Sequence, residues 1–223
     1  MGTLFGIGVG PGDKELLTIK ALNTIKRCKT IVAPAAKEDG GYSIAYETAK
    51  DYIDKKTTVY LKHFPMGTAD KKEKVYEIYK LIENELKKGN DVAFLTIGDP
   101  YIYSTYIYLL EFIKNRNYNV KTIPGIPSFC AAASISDSIL VIGDEILTIM
   151  PASKVSEIKD EKYVVIMKVY KKEKEILDIL DRKNFSYTYI SRAGRDNEKI
   201  LRNREDILKN CDYMSLIIAH RKE

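Results

Sequence analysis

Short apolar runs alternate with stretches of helical periodicity through the first half of the chain. Strands are predicted at TLFGIG, TIVAP, TTVYLKHF, DVAFLTIGDP and NVKTIPGIP, which are short and rich in β-branched or aromatic residues. A helix is predicted where apolar residues recur at helical spacing before Gly89: Val75, Ile78, Tyr79, Ile82 and Leu86. Strand-helix alternation of this kind is typical of a mostly parallel sheet that helices cover on both faces.

Two further helices are predicted to connect strands of this sheet. One follows the first strand, where Thr18 could cap a helix that carries Ile19, Leu22, Ile25 and Cys28 on one face. The other, STYIYLLEFIKN, follows the fourth strand. Each helix lies between two strands, as the crossover connections of parallel strands require.

The pattern changes after Pro127. Helices are predicted at SFCAAASISDSI and EILDILDR, and strands at EILTIM, YVVIMKVY, YTYIS and YMSLIIAH. These elements suffice for a second α/β unit. Because Pro124 and Pro127 stiffen the connection, we place the domains at 1–123 and 124–223. The predicted fold class is therefore α/β, with two α/β domains.

The chain of 223 residues carries a net charge of +5, and neither half is strongly basic: Lys and Arg number 19 against 15 Asp and Glu up to Ile123, and 17 against 16 after it. Because there is no basic arm, a nucleic-acid partner is not expected. A small anionic ligand explains the mild excess of positive charge as well as a nucleic acid would. No apolar run approaches the length of a membrane span, so no membrane partner is expected. The start of the chain lacks an export signal, and Cys28, Cys130 and Cys211 are predicted to be reduced core residues, which together indicate a cytoplasmic protein.

Four glycines between residues 6 and 12 follow a short apolar run and precede a helical pattern, which is where a nucleotide-binding loop is usually sought. The dinucleotide fingerprint G-x-G-x-x-G fails, because Pro11 or Asp13 stands where the third glycine belongs. No frame supplies the G-x-x-x-x-G-K-S/T pattern of a P-loop, and Asp13 would repel a phosphate. A plain glycine-rich turn remains as one alternative.

Three turns, GVGPGD, TIGDPYIYS and IPGIPS, each follow a predicted parallel strand. Since the carboxyl ends of parallel strands meet at one edge of a sheet, we expect these turns to face one ligand cleft. Their backbone carbonyls and Asp99, in the absence of a phosphate-binding lysine, suit a ligand with positive charge. Asp99 could equally cap the helix that follows.

The motifs GVGPGD with ELLTIKAL, then GDPYIYS, then PGIPS occur in an order that resembles the tetrapyrrole methylases, the S-adenosylmethionine-dependent enzymes of sirohaem and cobalamin synthesis. The resemblance covers nearly the whole chain. Within this family, HFPM and GDPYIYSTYIYLLEF are most similar to the branch that methylates C20 of precorrin-2 or cobalt-factor II. The segment FPMGTAD departs from the pattern of that branch by an inserted residue.

The resemblance implies two α/β domains with S-adenosylmethionine in the cleft between them, and it implies a homodimer. It also implies that the enzyme uses no acidic ribose clamp, which agrees with the failed dinucleotide fingerprint. Matched position by position, it assigns cofactor contacts to both domains, with Met167 as the alternative to Lys168. The implied contacts are Pro11, Ile97, Gly98, Asp99, Ile102, Pro127, Ser128, Lys168 and Ala219.

The implied substrate carries many carboxylates, so basic residues should line its binding trough. Arg192 and Arg195, in the loop SRAGRDNEK, are candidates because guanidinium groups bind carboxylates in bidentate fashion. Lys62 and His63 are the next candidates, and a solvated loop and a surface histidine are the alternatives. No catalytic residue is assigned, although His63 is a candidate base, and no Cys/His spacing predicts a metal site.

Several alternatives stay open for the function. One is a tetrapyrrole methylase that acts at another ring carbon. The same motif order also resembles diphthine synthase and the ribosomal RNA 2'-O-methyltransferase branch, although the even charge distribution disfavours an RNA substrate. A non-enzymatic binding module is the remaining alternative, but it would not explain the function of the three turns at one edge of the sheet.

Overall fold

The structure is a computed structural model in which the chain forms two compact units, Met1–Pro127 and Ser128–Glu223. The described residues are 1–35, 41–64, 71–114 and 116–222. We call the two parts the N-terminal unit and the C-terminal unit. They divide after Pro127, whereas the sequence placed the boundary after Ile123.

The N-terminal unit is built on one parallel sheet. Its elements in chain order are β1 (Thr3–Gly8), α1 (Ile19–Arg27), β2 (Thr30–Ala35), α2 (Ile44–Ala49), β3 (Thr58–His63), α3 (Lys71–Lys87), β4 (Val92–Thr96), α4 (Tyr106–Lys114) and β5 (Asn119–Ile123). The strand order is β3-β2-β4-β1-β5, and every adjacent pair is parallel. The predicted parallel sheet is therefore confirmed, while the short helix α2 was not predicted.

Apolar side chains cover this sheet in two clusters. The first packs α3 and α4 against it and includes all five α3 residues that the sequence predicted at helical spacing. The second packs α1 and α2, through residues such as Ile25 and Ala45, against Ile7 and Ile31. Since burial of a large apolar side chain contributes about 1.5–3 kcal/mol, these two clusters hold the sheet between its helices.

Helix α1 begins where the sequence predicted but turns a different face inward. The Thr18 hydroxyl accepts a hydrogen bond from the Ala21 amide at 3.1 Å, which confirms Thr18 as the cap. The buried side consists of Ala21, Thr24 and Ile25, whereas Ile19 is 79% exposed. The predicted face was wrong at Ile19, because residues two apart on a helix point in nearly opposite directions.

A buried carboxylate ties α3 to the segment before β5. Glu83, whose side chain is 7% exposed, accepts hydrogen bonds from the hydroxyls of Tyr79 and Tyr118, the latter at 3.1 Å. Lys87 lies 3.2 Å away on the next turn of the helix. The Tyr79 hydrogen bond outweighs the opposing effect of burial and, with Lys87 and Tyr118, lowers the pKa of Glu83 to about 2.

The C-terminal unit is built on a mixed sheet. Its elements are α5 (Ser128–Ile135), β6 (Leu147–Pro151), β7 (Tyr163–Met167), α6 (Glu173–Arg182), β8 (Phe185–Ser191), β9 (Lys199–Leu201), α7 (Arg204–Leu208) and β10 (Ser215–Arg221). The strand order is β6-β7-β10-β8-β9, in which only β6 and β7 pair in parallel. The predicted strands and helices of this half are present, but β9 and α7 were not predicted. No helix of the described chain is long and apolar enough to cross a bilayer.

The three cysteines differ in environment. Cys28 is buried, and burial raises the pKa of its thiol to about 12. Cys130 on α5 is half-buried, and Cys211 is exposed. The prediction of three core cysteines was therefore wrong for Cys211, because the apolar run that follows it becomes buried only at Ser215.

Candidate functional site

Three turns of the N-terminal unit follow neighbouring strands, because β4, β1 and β5 are adjacent in the sheet. We call residues 9–13, 97–105 and 124–127 the first, second and third loops. The amide of Gly98 donates to the carbonyl of Gly10 at 2.8 Å, which joins the first loop to the second. The three loops thus share one edge of the sheet, as expected from the parallel strands.

Glycine backbones meet directly where the loops join. A Cβ on Gly125 would overlap the carbonyl oxygen of Gly98 and lie 2.7 Å from the carbonyl carbon of Gly8. A Cβ on Gly8 would lie 2.5 Å from both the Gly125 nitrogen and the Gly98 oxygen. Gly98 itself has a φ of +65°, which favours glycine. We call Gly8, Gly98 and Gly125 the glycine junction, and the Pro-Gly dipeptide at 124–125 was the sequence signal for its third member.

Asp99 connects the second loop to the third. One carboxylate oxygen accepts from the Tyr101 amide at 2.9 Å, and the other accepts from the Gly125 amide at 3.2 Å. Helix α4 begins only at Tyr106, where the Ser104 hydroxyl accepts from the Tyr106 amide at 3.1 Å. The alternative that Asp99 caps this helix is therefore wrong, because Asp99 lies seven residues before Tyr106 and its carboxylate accepts from the Tyr101 and Gly125 amides instead.

The chemistry of the loops suits a cationic or neutral ligand. The first, second and third loops contain no Lys or Arg, and their acidic residues are Asp13 and Asp99. Pro11 is buried in the first loop, while Ile97 and Ile102 are half-buried in the second. A phosphate would find backbone amides here but no cation in the loops to neutralise it.

The ring of Tyr106 explains why the chain has glycine at position 6. A Cβ on Gly6 would overlap the Tyr106 ring and lie 2.5 Å from its hydroxyl oxygen. The ring is fully buried, and its hydroxyl lies 3.0 Å from the Thr122 hydroxyl on β5. Gly6 therefore serves internal packing, a role that sequence reasoning missed because Tyr106 is remote along the chain.

The expected cofactor contacts in the C-terminal unit, and Pro127 just before it, lie on different structural elements. Ser128 is the first residue of α5, and Pro127 precedes it. The predicted strand location is wrong for Lys168, because β7 ends at Met167 and Lys168 has a φ of +60°, whereas the alternative, Met167, is the last residue of β7. Ala219 lies on β10 as predicted, and its side chain is buried in the apolar cluster of this unit.

Arg192 already has a carboxylate partner. Its Nε donates to Asp212 at 2.6 Å, and its φ of +56° directs the chain into a turn closed by the Arg195 amide at 2.9 Å. Partial burial opposes ionisation of Asp212, but hydrogen bonds from the Met214 amide and Arg192 lower its pKa below the ordinary value. Of the two predicted arginines, Arg195 is therefore the freer candidate for a substrate carboxylate.

Lys62 and His63 lie at the carboxyl end of β3, the edge strand of the N-terminal sheet. Lys62 is exposed, and His63 Nδ1 lies 3.4 Å from the carbonyl oxygen of Ala35. They lie at the same end of the parallel strands as the three loops, but β2 separates β3 from β4, the nearest strand that leads into one of these loops. The inserted residue noted in FPMGTAD falls within 65–70, outside the described residues.

Comparison with known proteins gives one family. Residues 3–208 match the sequence profile of the Tetrapyrrole (Corrin/Porphyrin) Methylases. A protein from Methanocaldococcus jannaschii, named a probable cobalt-precorrin-2 C(20)-methyltransferase, is 37% identical over 98% of this chain and 96% of its own length. The cobalt-precorrin-2 C(20)-methyltransferase of Salmonella typhimurium is 31% identical over 76% of this chain and 73% of its length.

Solved structures agree on the fold. The uroporphyrin-III C-methyltransferase of Thermus thermophilus, solved in complex with S-adenosylhomocysteine, superposes with a TM-score of 0.71. The comparison covers 98% of this chain and 97% of that protein, at 18% sequence identity. At this identity the likeness establishes the architecture of two α/β units.

Proposed function

The chain belongs to the tetrapyrrole (corrin/porphyrin) methylase family, and from this premise we propose that it transfers a methyl group from S-adenosylmethionine to C20 of precorrin-2 or cobalt-factor II. Relatives from an archaeon and a bacterium carry this activity in their names and align with three quarters or more of the chain. The finer parts of the proposal are the cofactor, the substrate and a homodimeric assembly.

The observation that carries the proposal is the glycine junction. Gly8, Gly98 and Gly125 place three loop backbones in contact at one edge of the sheet, and no basic side chain belongs to these loops. Such a site offers amides, carbonyls and the Asp99 carboxylate to a ligand, which fits a sulfonium cofactor and disfavours a dinucleotide. When bound, S-adenosylmethionine supplies a methyl group that its positive sulfur has already activated.

The residues of this chain then have three tasks. The loops hold the cofactor in one position, so that an electron-rich ring carbon can approach the methyl group in line. Half-buried apolar side chains such as Ile97 and Ile102 exclude water from the reacting atoms. Arg195, with Lys62 as a further candidate, attracts the carboxylates of the substrate and thereby orients the ring.

Two measurements on the purified protein test the proposal. Calorimetric titration is expected to show binding of S-adenosylhomocysteine and no binding of NAD or ATP, because both phosphate fingerprints fail. Incubation with labelled S-adenosylmethionine and either metal-free or cobalt-loaded precorrin-2 is expected to place the new methyl group at C20. A methyl group found at another carbon would instead support the alternative of a different tetrapyrrole methylase, and tight NAD binding would contradict the cofactor assignment.

A charge variant tests substrate binding. Arg195→Gln is expected to raise the KM for the tetrapyrrole severalfold while the affinity for S-adenosylhomocysteine stays unchanged, since one exposed ion pair contributes about 0.2–1 kcal/mol. The same variant should show a weaker dependence of KM on salt. Arg182→Gln, an exposed arginine on α6 of the same unit, is the matched control. Equal KM values for the two variants would show that Arg195 lies in a solvated loop.

A further inference from the structure

A groove of about 780 Å³ lies between α1 and β5 in the N-terminal unit. It exists because β5 is the edge strand of the sheet and α1 leaves part of its face uncovered. Phe5 of β1 pairs with Lys121, and Ile7 pairs with Ile123, so Lys121 and Ile123 lie on the same sheet face as Phe5. No residue of the first, second or third loop lines this groove, which separates it from the proposed transfer site.

Cations line both walls of the groove. Lys20 and Arg27 belong to α1, and Lys121 belongs to β5. The lining contains no Asp or Glu, and among the residues that the structure describes neither Lys20 nor Lys121 forms an ion pair. A concave surface of one charge sign concentrates the field and attracts a counter-charge from solution. The groove is therefore an anion-attracting surface in a protein of only modest net charge.

The groove also has an apolar component. The Arg27 guanidinium lies 4.5 Å from the centre of the buried Phe5 ring, while the Arg27 side chain itself is exposed on the groove wall. Ile123 belongs to the lining, and the strongly exposed Ile19 stands at its rim. An inorganic ion would leave Ile19 in water, whereas an organic anion with a hydrophobic body would cover it.

We propose that this groove binds a small organic polyanion, an apolar or aromatic body that carries at least two carboxylates. Its carboxylates contact Lys20 on one wall and Lys121 on the other, and its body lies over Ile19 and the Arg27 guanidinium. Carboxylate-bearing tetrapyrroles have this composition, so the groove is a second docking place for a substrate or product of the reaction. The choice of a tetrapyrrole as the probe rests on the proposed function.

The test counts binding events of uroporphyrin III by calorimetry at low salt, with S-adenosylhomocysteine at saturation. The variant Lys20→Gln/Lys121→Gln is expected to lose one binding event per chain, or to weaken it about tenfold, because two partly exposed ion pairs are removed. The matched control is Lys55→Gln/Lys56→Gln, which removes the same charge from exposed residues before β3. Both variants should keep the wild-type kcat for methyl transfer, since neither pair lies in the loops.

Three outcomes separate this inference from the proposed function. If the wild type binds one porphyrin and the groove variant binds none, the groove is supported and the transfer site does not hold the probe. Unchanged binding in the groove variant overturns the inference, whatever the methylation assay shows. Sedimentation velocity without porphyrin supplies the third outcome: a changed association state in the groove variant alone would show that a second copy of the chain covers the groove, which also overturns it.

Discussion

Gly125→Ala is expected to lower the unfolding free energy by about 3 kcal/mol and to weaken binding of S-adenosylhomocysteine more than tenfold. The added Cβ would meet the backbones of Gly98 and Gly8, and neither is a flexible side chain that can move aside. The second and third loops must therefore separate, which also breaks the hydrogen bond between the Gly125 amide and Asp99. Thermal unfolding and calorimetric titration measure the two effects.

Gly89→Ala is the matched control for this variant. Gly89 has a φ of +84° and no atom within 4 Å of an added Cβ, so alanine there costs about 1–2 kcal/mol through backbone conformation alone. Gly125 does not have a positive φ, so its substitution measures steric overlap alone. If Gly125→Ala kept wild-type ligand affinity, the glycine junction would be a structural feature and the cofactor would have to bind elsewhere.

Glu83→Gln is expected to lower the unfolding free energy by about 1–3 kcal/mol at neutral pH. The pKa of Glu83 lies at about 2 in the folded protein, against an ordinary value of 4.5. A carboxyl group with a lowered folded pKa stabilises the fold above the unfolded value, and this contribution is lost as the pH falls from about 4.5 towards 2. The glutamine side chain still accepts hydrogen bonds from Tyr79 and Tyr118 but lacks the charge that faces Lys87.

Urea unfolding at pH 7 and at pH 2.5 measures this contribution, and Glu77→Gln, an exposed residue on the same helix, is the control. The difference in unfolding free energy between the wild type and Glu83→Gln should be large at pH 7 and should shrink at acidic pH. The control should follow the wild type at both values. A difference that stays constant with pH would mean that altered packing, and not ionisation, causes the destabilisation.

Local patterns in the sequence predicted much of the fold. The spacing of Val75, Ile78 and Tyr79 identified the buried face of α3, and the parallel sheet followed from strands that alternate with helices. Such signals succeed because side-chain periodicity depends only on the element itself. The inward face of α1 was harder to predict, since Ile19 and Ile25 are equally apolar and only the packing of the sheet selects between them.

Features that depend on distant residues could not be found in this way. The need for glycine at position 6 comes from the ring of Tyr106, and the need at position 125 comes from Gly8 and Gly98. Lys168 interrupts an apolar run through a left-handed backbone conformation, to which its side-chain type gives no clue. The predicted parallel strands located the three loops, but the contacts among the loops depend on residues that are distant along the chain.

The position of β1 inside its sheet, between β4 and β5, affects how the chain folds during translation. Leu4 pairs with Val92 and Thr3 pairs with Asn119, so the first strand to be synthesised has no neighbour until β4 and β5 have emerged. At about 5–20 residues per second, translation from β1 to β5 takes roughly 6–25 s. During that interval the apolar segment TLFGIG lacks its partner strands in the nascent chain. A chaperone near the exit tunnel can therefore bind this segment before β4 and β5 are available to pair with it.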